Sequence, residues 1–192
     1  MRLYRANIRL SQELFAVLNI FEVVLRNAID RHYRNVFGNN WLVTASNPGG
    51  YLTAKNCNKS LASVQSIIND LGGYYTHDKA IAALNFGFWR YQFALKEYAA
   101  AGNTLLKIFP ALPFRTNQSD IFKKLTEINK IRNRIAHHEP ICFDPVHAIS
   151  TAYATQKYIS ILELLQWLGY DTGALLYGVD HVQREIQYVN RL

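Results

Sequence analysis

Between Leu10 and Phe37 the chain carries Leu10, Leu14, Leu18, Phe21, Leu25, Ala28 and Ile29 at helical steps of three and four. That period predicts one helix over the whole stretch, about 40 Å long at the α-helical rise. Phe15, Val17 and Val24 widen its apolar face beyond a single stripe, so other elements must cover it on several sides. A long helix wrapped in this way leaves few architectures other than a helical bundle. Gly38, followed by Asn39 and Asn40, marks its end.

The rest of the chain agrees. A loop at Asn47–Gly50 ("NPGG") precedes a helix predicted near Ser60–Leu71, stopped by Gly72 and Gly73. The aromatic-rich stretch "ALNFGFWRYQFALKEYAAA" reads as further helix interrupted at Gly87. After the loop "FPALPFRTNQ" a helix is predicted over Ser119–His138, with Ser119 as N-cap and Pro140 as the stop. Asp144 and Pro145 suit the cap and first turn of the next helix, which runs to Trp167 and ends at Gly169; a short helix follows at Val182–Tyr188. Strand-like alternation and internal repeats are not evident. The expectation is all-α, a bundle of about five or six helices forming a single domain over residues 1–192.

Net charge is +7, which suits either a polyanionic partner or solubility alone. Cys57 and Cys142 are far apart and lack zinc-ligand spacing, so neither a disulfide framework nor a metal site is expected. The N-terminal stretch has no signal-peptide pattern, and no segment reaches membrane-spanning length. A soluble, cytoplasmic protein is expected.

The stretch "EINKIRNRIAHHEPI" concentrates chemistry on one helix. Ile121, Leu125, Ile128, Ile131 and Ile135 gather into one sector of the helical wheel and predict its core face. Asn129, Asn133 and His137 follow one another on the opposite side, so Asn133 and His137 can act on one small object. Arg132 sits at the border, where its stem can lie along apolar neighbours while the guanidinium reaches the polar side. An arginine fork, an amide and an imidazole are together suited to holding and cleaving a phosphodiester. With twelve arginines and six histidines in the chain, spacing alone does not identify that chemistry. "RNAIDRH" at Arg26–His32 has a similar look, yet His32 falls with Leu14, Leu18 and Leu25 on the core face and reads as a structural histidine.

Taken with its neighbours, "KIRNRIAHHEPI" resembles the signature of the Abi-like (abortive infection) family of the HEPN superfamily: arginine, a polar residue, a short spacer and histidine. "LFAVLNIFEVVLRNAIDRHY" resembles that family's first long helix, with Glu22, Arg26 and Asn27 at its Glu-x3-Arg-Asn, and "LNFGFWRYQF" resembles its middle helix. The resemblance implies a HEPN-like bundle and a homodimer with a composite site. It also implies a metal-independent endoribonuclease, without cofactor, that leaves 2′,3′-cyclic phosphate and 5′-hydroxyl ends. Such proteins are toxins or phage-defence effectors, with an antitoxin, protein or RNA, as a possible partner. Arg132, Asn133 and His137 are the implied catalytic residues; His138 is a second histidine of the pattern, and Glu22, Arg26 and Asn27 are candidate supports.

From Arg115 to Arg134 six cations face two carboxylates. This makes Lys123, Lys124, Lys130 and Arg134 candidate RNA contacts, or else a solvated helix face. Glu22, Arg26, Asp30 and Arg34 step by four and predict a ladder of ion pairs. The alternative to an enzyme is a non-catalytic module that binds RNA or protein through the same basic surface.

Overall fold

The computed structural model describes residues 1–144, 146 and 148–192. Among them the regular structure is helical, apart from one isolated antiparallel bridge between Phe143 and Ile149. Eleven α-helical segments occur, more than the five or six expected: α1 (Arg2–Phe37), α2 (Trp41–Ser46), α3 (Tyr51–Ala54), α4 (Asn58–Leu71), α5 (His77–Ala83), α6 (Phe86–Tyr91), α7 (Leu95–Ala100), α8 (Gln118–Ala136), α9 (Ala152–Trp167), α10 (Thr172–Leu175) and α11 (Val182–Val189). No helix of the described residues is long and apolar enough to cross a membrane. Two compact units share the chain, one built from Met1–Val24 with Lys124–Leu192 and the other from Leu25–Lys123.

In the Leu25–Lys123 unit most helices are short, because the middle of the chain is cut by caps that periodicity does not reveal. Gly87 does not interrupt a helix; it lies inside α6. The break falls two residues earlier, where Asn85 accepts the Phe88 N–H at 3.0 Å and so starts α6 afresh. Thr76 caps α5 in the same manner, accepting from Lys79 N at 3.2 Å. Gly38, at φ +90°, turns the chain out of α1 as expected. The unit's core is aromatic: Tyr33, Trp41, Phe86, Trp89 and Phe93 are fully buried or nearly so, and the Tyr33 and Trp41 rings meet edge to face at 4.8 Å. Of the predicted ion-pair ladder, the Asp30–Arg34 step is present at 2.7 Å. Asp30 also accepts hydrogen bonds from Trp41 Nε1 and from His77 Nε2, each at 2.8 Å. Burial pushes the Asp30 carboxyl up, but the bonds from His77, Trp41 and Arg34 outweigh it and hold the group below its usual range. His32 is satisfied, as predicted, through Nε2 and Thr104 Oγ1 at 2.9 Å.

The other unit packs the first turns of α1 with the greater part of α8, with α9 and with α11. The helix α1 starts at Arg2 rather than near Leu10, because Ala6 and Asn7 are buried and Asn7 Oδ1 accepts the Ile141 N–H at 2.8 Å. Leu10, Leu14, Val17 and Phe21 from α1 are fully buried, as are Ile161, Leu164 and Leu165 from α9. Each such side chain contributes roughly 1.5–3 kcal/mol of burial. Helix α9 begins at Ala152, not at Asp144. Instead of capping it, the Asp144 carboxylate accepts from Val146 N at 3.0 Å and Ala148 N at 2.8 Å, closing a local turn; Pro145 lies outside the described residues. Gly169, at φ +89°, follows the end of α9 as predicted.

Candidate functional site

Helix α8 presents the residues that the sequence singles out. Its cap is Asn117 and not Ser119: Asn117 Oδ1 accepts from Ser119 N at 2.8 Å and Asp120 N at 3.2 Å, and Asp120 Oδ2 accepts from Asn117 N at 3.0 Å. This reciprocal pair satisfies the donors that a helix start leaves open. Ile121, Leu125, Ile128 and Ile131 are fully buried, and Ile135 nearly so, which fixes the rotation of α8 and turns Asn133 outward.

The other end of α8 is where the two histidines part. His137 N donates to Asn133 O at 2.9 Å, so His137 closes the last helical turn directly above Asn133, and both side chains are exposed. His138 stands in the left-handed region at φ +58°. Its N–H reaches Ile135 O at 3.0 Å, and Glu139 N reaches Arg134 O at 2.8 Å, the paired bonds of a Schellman turn. The left-handed His138 thus stops the helix two residues before Pro140, which was the expected stop.

Arg132 is half-buried at the predicted border, and its Nε is enclosed with no hydrogen-bond partner among the described residues. Neighbouring cations are engaged. Lys124 pairs with Glu163 at 2.5 Å, and Lys130 pairs with Glu127 at 2.6 Å. Glu127 also holds the nearly buried Lys157 at 3.1 Å; the hydrogen bond from Lys130, chief among these contacts, keeps the Glu127 carboxyl below its usual range. Arg134 folds back to Pro140 O at 2.5 Å and lies 3.4 Å from Glu139, so it ties down the Schellman turn. Among the described residues Arg132 is in no ion pair, and neither is the exposed Lys123.

The structure brings Arg132, Asn133, His137 and His138 together at the end of one helix. Of the candidate supports, the half-buried Glu22 belongs to the same compact unit, whereas Arg26 and Asn27 fall in the Leu25–Lys123 unit, as does Lys123. Arg26 Nε is enclosed without a hydrogen-bond partner among the described residues. No three His, Cys, Asp or Glu side chains of the described residues converge in a way that could hold a metal ion. Cys142 is buried, which pushes its thiol up and keeps it protonated.

Sequence reasoning missed a groove of about 460 Å³ beside this helix end. Ile135, Ala136 and His138 form one side, and the first turns of α1 form the other. Tyr4, Ile8, Ser11 and Phe15 recur there at steps of four, three and four, a helical stripe that the sequence does carry, although Tyr4 is 67% exposed and Ile8 38%.

Compared with protein-family models, with curated proteins and with solved structures, the chain matches none. The chemistry available to it is therefore set by the groups at the end of α8: an arginine that no carboxylate among the described residues neutralises, an amide and an imidazole one turn apart, and a second imidazole turned toward a groove.

Proposed function

We propose that this chain is an Abi-like, HEPN-like endoribonuclease that cleaves RNA without a metal ion, acting in the cytoplasm as a phage-defence or toxin effector. The observation that carries this reading is the state of Arg132. Its neighbours Lys124, Lys130 and Arg134 are paired or tied into the fold, while Arg132 is in no ion pair among the described residues. A guanidinium without a carboxylate partner keeps its charge for a ligand, and phosphate oxygens match its planar fork.

In the proposed reaction the ribose 2′-hydroxyl gives up its proton and attacks the adjacent phosphorus. The bond to the 5′-oxygen breaks, that oxygen takes up a proton, and the products are a 2′,3′-cyclic phosphate and a 5′-hydroxyl. His137, exposed one turn above Asn133, moves one of these protons. Arg132 stabilises the charge that builds on the phosphorane oxygens, and Asn133, one turn below His137, orients the phosphate or the imidazole. With His138 turned toward the groove, one helix end supplies a single imidazole beside Asn133 for two proton transfers. In a two-fold dimer, His137 of the partner subunit serves the other.

Incubating the purified protein with mixed RNA in EDTA tests the reading. The expected products carry 2′,3′-cyclic phosphate and 5′-hydroxyl ends, and none form with His137→Ala protein whose circular dichroism is that of the wild type. Activity that EDTA removes, 3′-hydroxyl products, or cleavage by the His137→Ala protein at the wild-type rate would each overturn it.

A further inference from the structure

The groove beside His138 has a chemistry of its own. Aromatic rings come from Tyr4 and Phe15 and an aliphatic surface from Ile8, while Ser11 and Gln12 bring a hydroxyl and an amide to the same wall; Asn7, also there, is buried and engaged by Ile141 N. Purely apolar partners have no use for an amide and a hydroxyl, and a simple anion has no use for two aromatic rings. An unpaired nucleobase uses both, since it stacks on aromatic faces and hydrogen-bonds along its edge. The volume, about 460 Å³, lies in the range of small-molecule pockets.

Charge points the same way. On a helical wheel of about 100° per residue, Arg5 lies just beyond Gln12 at the edge of the Tyr4–Ile8–Phe15 stripe, and Arg9 and Arg2 follow further round the helix. All three are exposed, and none is in an ion pair among the described residues. A groove for a base edged by unneutralised guanidiniums is complementary to a single strand, whose phosphates run beside its bases.

We propose that this groove receives one unpaired nucleobase of an RNA strand, stacked on Tyr4 and Phe15 and read by Gln12 and Ser11, while Arg5 holds the adjoining phosphate. This rests on the ribonuclease reading and gives it a source of sequence preference. The left-handed turn divides the labour between the tandem histidines. His137 stays on the helix beside Asn133 for proton transfer, and His138 forms the wall of the base site.

The test is binding of two short, uncleavable oligomers to the full chain, followed by fluorescence anisotropy. One is 2′-O-methyl RNA of mixed sequence; the other is an abasic strand of equal charge. Tyr4→Ala and Gln12→Ala alter exposed side chains and leave the core alone. Tyr4→Ala is expected to weaken the base-bearing oligomer about tenfold without changing the abasic strand, and Arg5→Gln to weaken both. Gln12→Ala is expected to change which base is preferred. Equal loss of both oligomers in Tyr4→Ala, or no loss of either, overturns the proposal. So does dissociation of a dimer by Tyr4→Ala in sedimentation, which would mean that a second copy covers the groove. Neither oligomer can be cleaved, so base-dependent binding without any cleavage of ordinary RNA would refute the nuclease and leave the groove standing; cleavage with no base dependence does the reverse.

Discussion

Replacing His138 with glycine should make the protein more stable while weakening its hold on RNA. A residue with a β-carbon in the left-handed region costs about 1–2 kcal/mol, and His138 sits there at φ +58°. Glycine removes that cost, while its greater freedom in the unfolded chain takes back about 0.4–1 kcal/mol. The net gain is about 0.5–1 kcal/mol, or roughly 1–4 °C in Tm for a chain of this length. His138→Ala is the control, because it removes the same exposed imidazole but keeps the β-carbon in the strained region. Thermal melts followed by circular dichroism at one pH should place the glycine variant above both the alanine variant and the wild type. Both substitutions remove a wall of the groove, so both should weaken the base-bearing oligomer. A glycine variant that melts at or below the alanine variant would refute the claim that the turn is strained at His138.

A heterodimer joining wild-type and His137→Ala chains should cleave RNA at well under half the wild-type rate; half or more would mean that each subunit works alone. Arg132→Lys should be severely impaired in cleavage with unchanged folding, since an ammonium keeps the charge but loses the fork, and wild-type rates would point to charge alone. Asp30→Asn should lower stability by roughly 2–3 kcal/mol near neutral pH, by weakening the hydrogen bonds from Arg34, Trp41 and His77. Because the folded Asp30 carboxyl lies below its usual 3.8, its stabilisation is present above that pH and is lost as pH falls through the folded value, so melts of the two proteins should converge in acid. Gly50→Ala should cost about 1–3 kcal/mol in chemical denaturation. The φ of −63° at Gly50 suits any residue, but a β-carbon there would overlap Thr44 O and Ala45 O.

The long helices were legible because burial writes itself into spacing. Every member of the α8 ladder from Ile121 to Ile135 is buried, and Arg132 lies at the border that the wheel gives it. Signals that act over two or three residues were less legible. Asn85 restarts a helix that periodicity runs straight through. Asp144 followed by Pro145 has the form of a helix start, yet its carboxylate serves a turn. The usual sign of a left-handed helix end is glycine or asparagine, so nothing in "AHHEP" announces that His138 takes that role. The groove needs Tyr4 and His138, 134 positions apart, to share one surface, and no local pattern records such a meeting.

That separation bears on the order in which the protein is made. Synthesis delivers α1 first, but Asn7 must wait for Ile141 before its side chain has its partner, and the groove wall from Tyr4 to Phe15 must wait for Ile135 and His138. The Leu25–Lys123 unit, by contrast, is one uninterrupted segment and can form while the ribosome is still translating the residues that follow α8. A growing chain therefore holds neither His137 and His138 nor the surface they share until α8 is complete, and any product truncated before α8 ends carries the α1 half of the groove with nothing opposite it.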